Sequence, residues 1–247
     1  MKISILLPYK ENFSPKKSGA VSIFVNDLVK NTNFNTLNIF GNTNEKDFLD
    51  KRYINLRFNK RLLQSSSKKY IDEFLIAEKK IKSDVIEVHN RPFYINLLKK
   101  FTKSKLILYF HNDPLTMVGS SSLNERNFLL SNVDHFIFNS LWSLERFKLG
   151  IKDIKKHNYK LSVVYQSVNK TKINFNKKKK IISFIGKLNT AKGFDVFGET
   201  ILKILDKYPD WKSIIIGEEP REKLSYIHKN IANYGQKNHR FILKKLE

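Results

Sequence analysis

Ser183-Phe184-Ile185-Gly186-Lys187-Leu188-Asn189-Thr190-Ala191-Lys192-Gly193 decides how this chain is read. An apolar run from Ile181 to Ile185 ends at a glycine. A polar loop bounded by Gly186 and Gly193 follows, and apolar residues at helical spacing then occupy 194–207. Strand, loop and helix in that order are the unit from which parallel sheets are built. Lys187 and Lys192 stand beside the backbone amides of a helix start, a place where anions bind. From these residues alone a phosphate site and an ordinary basic loop both remain open.

The same alternation continues in both directions. Towards the C-terminus, Lys212 to Ile216 reads as a strand closed by Gly217, 220–234 as a helix and Phe241 to Leu243 as a last strand. Towards the N-terminus, the Asn- and Lys-rich stretch 169–180 reads as a linker by composition. Before it, apolar runs at 3–7, 37–41, 85–88, 106–110, 135–138 and 161–165 predict strands. Helical spacing is found at 20–31, 62–82, 93–101, 122–131 and 140–149, and 42–60 is ambiguous. The expected fold is α/β, with a parallel sheet in a domain over 1–168 and an incomplete second αβ domain over 181–247. Polar clusters stand where strands end: His89-Asn90-Arg91-Pro92, His111-Asn112-Asp113-Pro114 and Asn139-Ser140. Ligands of open parallel sheets bind outside those carboxyl ends.

Composition narrows the function. The chain has 247 residues and no Cys, which leaves no disulfide framework and no thiolate nucleophile or ligand. At 41% hydrophobic it can bury a core. No apolar run approaches the roughly 18 residues of a membrane span, and the stretch before Pro8 is too short for a signal peptide, so the expectation is a cytoplasmic protein. The formal charge of +23 should attract polyanions. Only 8 of the 46 basic residues are Arg, however, and they are scattered. Arg supplies the bidentate fork of base and phosphate recognition, so nucleic acid is not expected as a partner. Arg57, Lys60 and Arg61, with Phe58 and Leu62, are candidates for peripheral contact with an anionic membrane on its inner face.

Gly186-Lys187-Leu188-x-x-x-Lys192-Gly193 resembles the basic loop of retaining glycosyltransferases of family 4 (glycosyl transferases group 1), which have the GT-B fold of two Rossmann-like domains. Tyr208-Pro209-Asp210-Trp211, Ile216-Gly217-Glu218-Glu219-Pro220, the strand-end clusters and Ser18-Gly19-Ala20 resemble further segments of that family. The resemblance covers almost the whole chain. It implies a transferase that moves a sugar from a nucleotide diphosphate sugar, UDP- or GDP-linked, to a lipid-linked or surface-polysaccharide acceptor. It needs no cofactor and no metal. The 1–168 domain would take the acceptor and the second domain the donor.

By the same resemblance, Lys187, Lys192, Gly193 and Gly19 would bind the donor phosphates. His111 would be the catalytic histidine, orienting a hydroxyl or a carbonyl without acting as a base. His89, Asn139 and Glu218 would contact donor or acceptor, and Glu219 is read as surface. Two departures stand out. The family's first basic residue is usually Arg and here is Lys187, and the family's glutamate pair would come beyond Glu247. The alternative is a truncated, non-catalytic relative that works as a binding or partner module.

Overall fold

The computed structural model describes residues 1–34, 36–58, 65–167 and 178–246. The chain divides into two compact units, Met1–Val168 and Asn169–Glu247. Most of the stretch read as a linker, and Lys60, Arg61 and Leu62, lie outside the described residues.

The first unit is built on seven parallel strands: β1 (Ile3–Leu6), β2 (Leu37–Gly41), β3 (Tyr53–Asn55), β4 (Val85–His89), β5 (Lys105–Phe110), β6 (His135–Phe138) and β7 (Leu161–Val163). Their order is β3-β2-β1-β4-β5-β6-β7. The order reverses between β1 and β4, the switch point at which doubly wound sheets bind ligands. The connecting helices are α1 (Ala20–Lys30), α2 (Ser66–Ile81), α3 (Phe93–Leu98), α4 (Leu123–Asn132) and α5 (Leu141–Lys148). The ambiguous 42–60 stretch contributes β3, whose Tyr53 ring stacks on Phe13 at 4.8 Å.

Side chains alternate across a strand, and the two faces of this sheet differ. On one face Ile86, Val88, Leu108, Phe110, Phe136 and Phe138 join the larger core. Phe147 of α5 packs on Phe110, Phe136 and Phe138 with ring centroids 5.1–5.6 Å apart. Each such buried ring contributes about 1.5–3 kcal/mol relative to exposure. On the other face Ile3, Ile5, Leu37 and Ile39 pack with Val25 and Val29 of α1. That second face also carries Glu87 and His89 of β4 and Tyr109 of β5, so polar groups stand in the middle of the sheet.

The second unit has three parallel strands, β8 (Ile181–Ile185), β9 (Lys212–Ile216) and β10 (Ile231–Asn233), in the order β10-β9-β8. Helix α6 (Phe194–Lys207) sets Phe194 and Phe197 against Phe184 of β8. Two expectations fail here. Residues 220–230 are not helical. Tyr226 from that stretch lies against Gly198 of α6 and edge-on to Phe194, and Ile231–Asn233 continues into the sheet. The expected strand at Phe241 to Leu243 lies inside helix α7 (His239–Leu246). Asn238 explains the difference: its side chain accepts from the Phe241 amide at 2.9 Å, an N-cap that outweighs three apolar residues in a row.

Candidate functional site

In the first unit the strand-end clusters meet at His111. Its amide donates to Asn90 Oδ1 at 3.2 Å, and its carbonyl accepts from Asn139 Nδ2 at 2.8 Å. Its Nε2 lies 2.8 Å from His89 Nδ1, and its Nδ1 lies 2.9 Å from Gln166 Nε2. His89, His111 and Asn139 are therefore brought together, each at the carboxyl end of a different strand. Asn90 adopts φ 53°, a left-handed conformation that Asn tolerates better than most residues. Beyond His111, Asp113 accepts from the Leu115 amide and forms a forked pair with Arg146 of α5 at 2.9–3.2 Å. Arg146 holds the Asp113 carboxyl below the usual carboxylate range.

The rings form a stack. Tyr109 lies face to face with His111 at 4.4 Å and with His89 at 5.3 Å, while Phe24 of α1 meets Tyr109 and His111 edge-on at 5.1 and 5.2 Å. Burial pushes the Tyr109 hydroxyl up to about 12 and, with His89 beside it, pushes His111 down to about 2. A ring whose charged form is so disfavoured is a poor base near neutrality. The side chain of Ser140, not that of Asn139, caps α5.

Gly19 precedes α1, and the space beside it is filled by the Glu11 carboxylate, which accepts from the Ser22 amide at 3.1 Å. An acid already satisfies part of that helix start.

In the second unit the loops after β8 and β9 converge. Gly186 donates its amide to Ile216 O at 3.0 Å, and its carbonyl lies where a Cβ on Gly217 would stand. Asn189 Nδ2 donates to Glu219 Oε2 at 3.4 Å, and the Thr190 amide donates to Glu222 at 2.9 Å. Lys187 and Lys192 are exposed, and among the described residues neither ammonium has an ion-pair partner within 4.0 Å. Gly193 takes φ 71° and donates its amide to Thr190 O at 2.9 Å, so it shapes the turn into α6 rather than presenting a free donor.

Of the two adjacent acids, Glu218 is exposed and Glu219 is buried, the reverse of reading Glu219 as surface. Glu219 accepts from Arg221 Nε and Nη2 at 2.8 and 3.0 Å. That pairing, with a smaller effect of Lys187, holds its carboxyl at about 2. The sequence signal that finds it is an Arg two residues beyond an acid at a strand end.

The family model described as "Glycosyl transferases group 1" matches residues 166–247. A curated protein of Bacillus subtilis (strain 168), "Putative glycosyltransferase YtcC", is 28% identical over 158 residues, covering 54% of this chain and 37% of that protein. The chain thus spans little more than a third of that relative's length. Among solved structures, sucrose-phosphate synthase of Thermosynechococcus elongatus matches with a TM-score of 0.68 at 11% identity, over 98% of this chain and 72% of that one. Anabaena Alr3699/HepE, solved in complex with UDP, matches at 0.63 and 13% identity, over 96% and 70%. At such identities the structural likeness is one of fold. Residues 166–247 therefore match the model of the group 1 glycosyl transferases, and the α/β fold of the chain is like that of these solved structures.

Proposed function

We propose that the chain is a retaining glycosyltransferase of family 4 type, which moves a sugar from a nucleotide diphosphate sugar to a lipid-linked or surface-polysaccharide acceptor. The observation that carries this reading is the pair of exposed lysines, Lys187 and Lys192, without an ion-pair partner among the described residues, on the β8–α6 loop of the segment that matches the family. Cations at a helix start suit a diphosphate whose charge grows as it leaves. UDP is the first nucleotide to try, since HepE is solved with it, and GDP the second.

Gly193 shapes the phosphate loop. Gly19 takes the corresponding role at α1, which requires the Glu11 carboxylate, now accepting from the Ser22 amide, to move away from an incoming phosphate. In the first unit His111 contacts the sugar, with His89 and Asn139 as further donor or acceptor contacts; in the second unit Glu218 is the further contact. The first unit takes the acceptor. The protein works in the cytoplasm, with its basic surface against the inner face of the membrane; among the described residues no helix is long and apolar enough to cross one.

The test is sugar transfer by the purified chain from a panel of UDP- and GDP-sugars to lipid-linked and polysaccharide acceptors. Product of retained anomeric configuration is expected, and inverted product overturns the retaining assignment. Nucleotide binding with no turnover moves the reading to the non-catalytic module.

A further inference from the structure

Glu87 is a carboxylate in the middle of a central strand, in register with Ile5 on β1 and Ile107 on β5. Its side chain is 14% exposed, and its Oε1 lies 2.7 Å from Nε2 of the fully buried His89. Neither atom makes a hydrogen bond, to the other or elsewhere among the described residues, so the contact rests on distance and charge alone. A carboxylate oxygen that close repels a bare ring lone pair and attracts an N–H. In a neutral His89 the proton is therefore on Nε2, and Nδ1 is an acceptor.

The next link follows from the first. His89 Nδ1 lies 2.8 Å from His111 Nε2, and one of those two atoms must carry the hydrogen between them. It is His111 Nε2. A neutral imidazole has one N–H, so His111 Nδ1 is bare. That atom faces the side-chain amide nitrogen of the exposed Gln166 at 2.9 Å, which is a donor. The Gln166 amide, with its nitrogen toward the ring, is compatible with that assignment.

We propose that Glu87 is a positioning residue which, acting through His89, locks His111 in its Nε2–H tautomer, so that the ring nitrogen facing Gln166 is an acceptor kept for a ligand hydroxyl. Gln166 occupies that acceptor in the absence of ligand and swings aside for a sugar O–H. A carbonyl, carboxylate or ionised phosphate oxygen has no proton to give and is not accepted there. The role as a sugar contact rests on the transferase reading, whereas the tautomer does not.

The test is a long-range proton–nitrogen NMR spectrum of the full chain labelled with nitrogen-15 histidine, the two rings being assigned from His89→Gln and His111→Gln spectra. In the wild type, pyrrole-like Nε2 and pyridine-like Nδ1 signals are expected for both rings. In Glu87→Gln, whose amide offers His89 either a donor or an acceptor, the preference should collapse to a tautomer mixture at both. An Nδ1–H signal for His111 in the wild type overturns the proposal, as does an unchanged pair of tautomers in Glu87→Gln. If that variant does not fold, Glu87→Asp, whose shorter side chain withdraws the carboxylate from His89, is read in the same way. A wild type that shows the Nε2–H tautomers but transfers no sugar faults the transferase reading and leaves the lock standing.

Discussion

Asn139 Nδ2 donates to the carbonyl oxygen of His111 at 2.8 Å, tying the end of β6 to the end of β5. The other side of the same amide accepts from Ser143 Oγ at 2.9 Å and so reaches into α5. One side chain thus fixes the backbone that carries the candidate catalytic ring.

Asn139→Ala removes both bonds, with the longer one that Oδ1 accepts from Ser140 Oγ at 3.3 Å, and leaves the His111 carbonyl without that donor. Loss of one or two net hydrogen bonds should destabilise the chain by about 1–2 kcal/mol. Urea unfolding measures this, with the midpoint lowered and the slope unchanged. If His111 works as proposed, turnover should fall more steeply than stability does.

His111 provides a pH prediction. Its folded pKa of about 2 lies far below the ordinary histidine value, because burial and His89 disfavour the charged ring. Below the unfolded value of about 6.5, the unfolded chain binds a proton that the folded chain refuses. The contribution is therefore fully present above about pH 6.5 and declines as pH falls towards the folded value, with a slope of at most about 1.4 kcal/mol per pH unit. His111→Asn should flatten the acid side of the stability curve by one proton, read from melting temperatures between pH 5 and 8. The rate profile of the wild type should show no His111 titration in that range.

Gly217 has φ 153°, and a Cβ there would collide with the carbonyl of Gly186. The atoms it would strike belong to the Gly186 backbone, which cannot swing aside as a side chain could. Gly217→Ala should destabilise the second unit by about 2 kcal/mol or more. Limited proteolysis should then cut preferentially beyond residue 178.

How much of this was legible in the sequence depends on the element. Ile3 to Leu6, Leu37 to Gly41 and Leu106 to Phe110 are short, mainly apolar runs with clear stops, and most of their side chains are buried. The His89, His111 and Asn139 constellation follows from its place at strand ends. Residues 220–234 were harder, because helical spacing there competes with Tyr226 packing on Gly198, a contact 28 positions away in the chain. Glu218 and Glu219 are alike as residue types. Which one is buried depends on how the chain leaves β9 after Gly217, and periodicity cannot reach that. Glu87 and Gln166 were missed because their importance is relational: neither has meaning until the two histidines are seen between them.

The most direct test of the account is equilibrium binding of UDP and GDP by calorimetry, in the wild type and in Lys187→Ala and Lys192→Ala, with folding of each variant checked by its melting curve. The account predicts that the wild type binds at least one nucleotide, that affinity falls with salt, and that each substitution weakens binding about tenfold or more, the worth of a charge-assisted hydrogen bond. A wild type that binds neither nucleotide, or lysine variants that bind as tightly as the wild type, would contradict it.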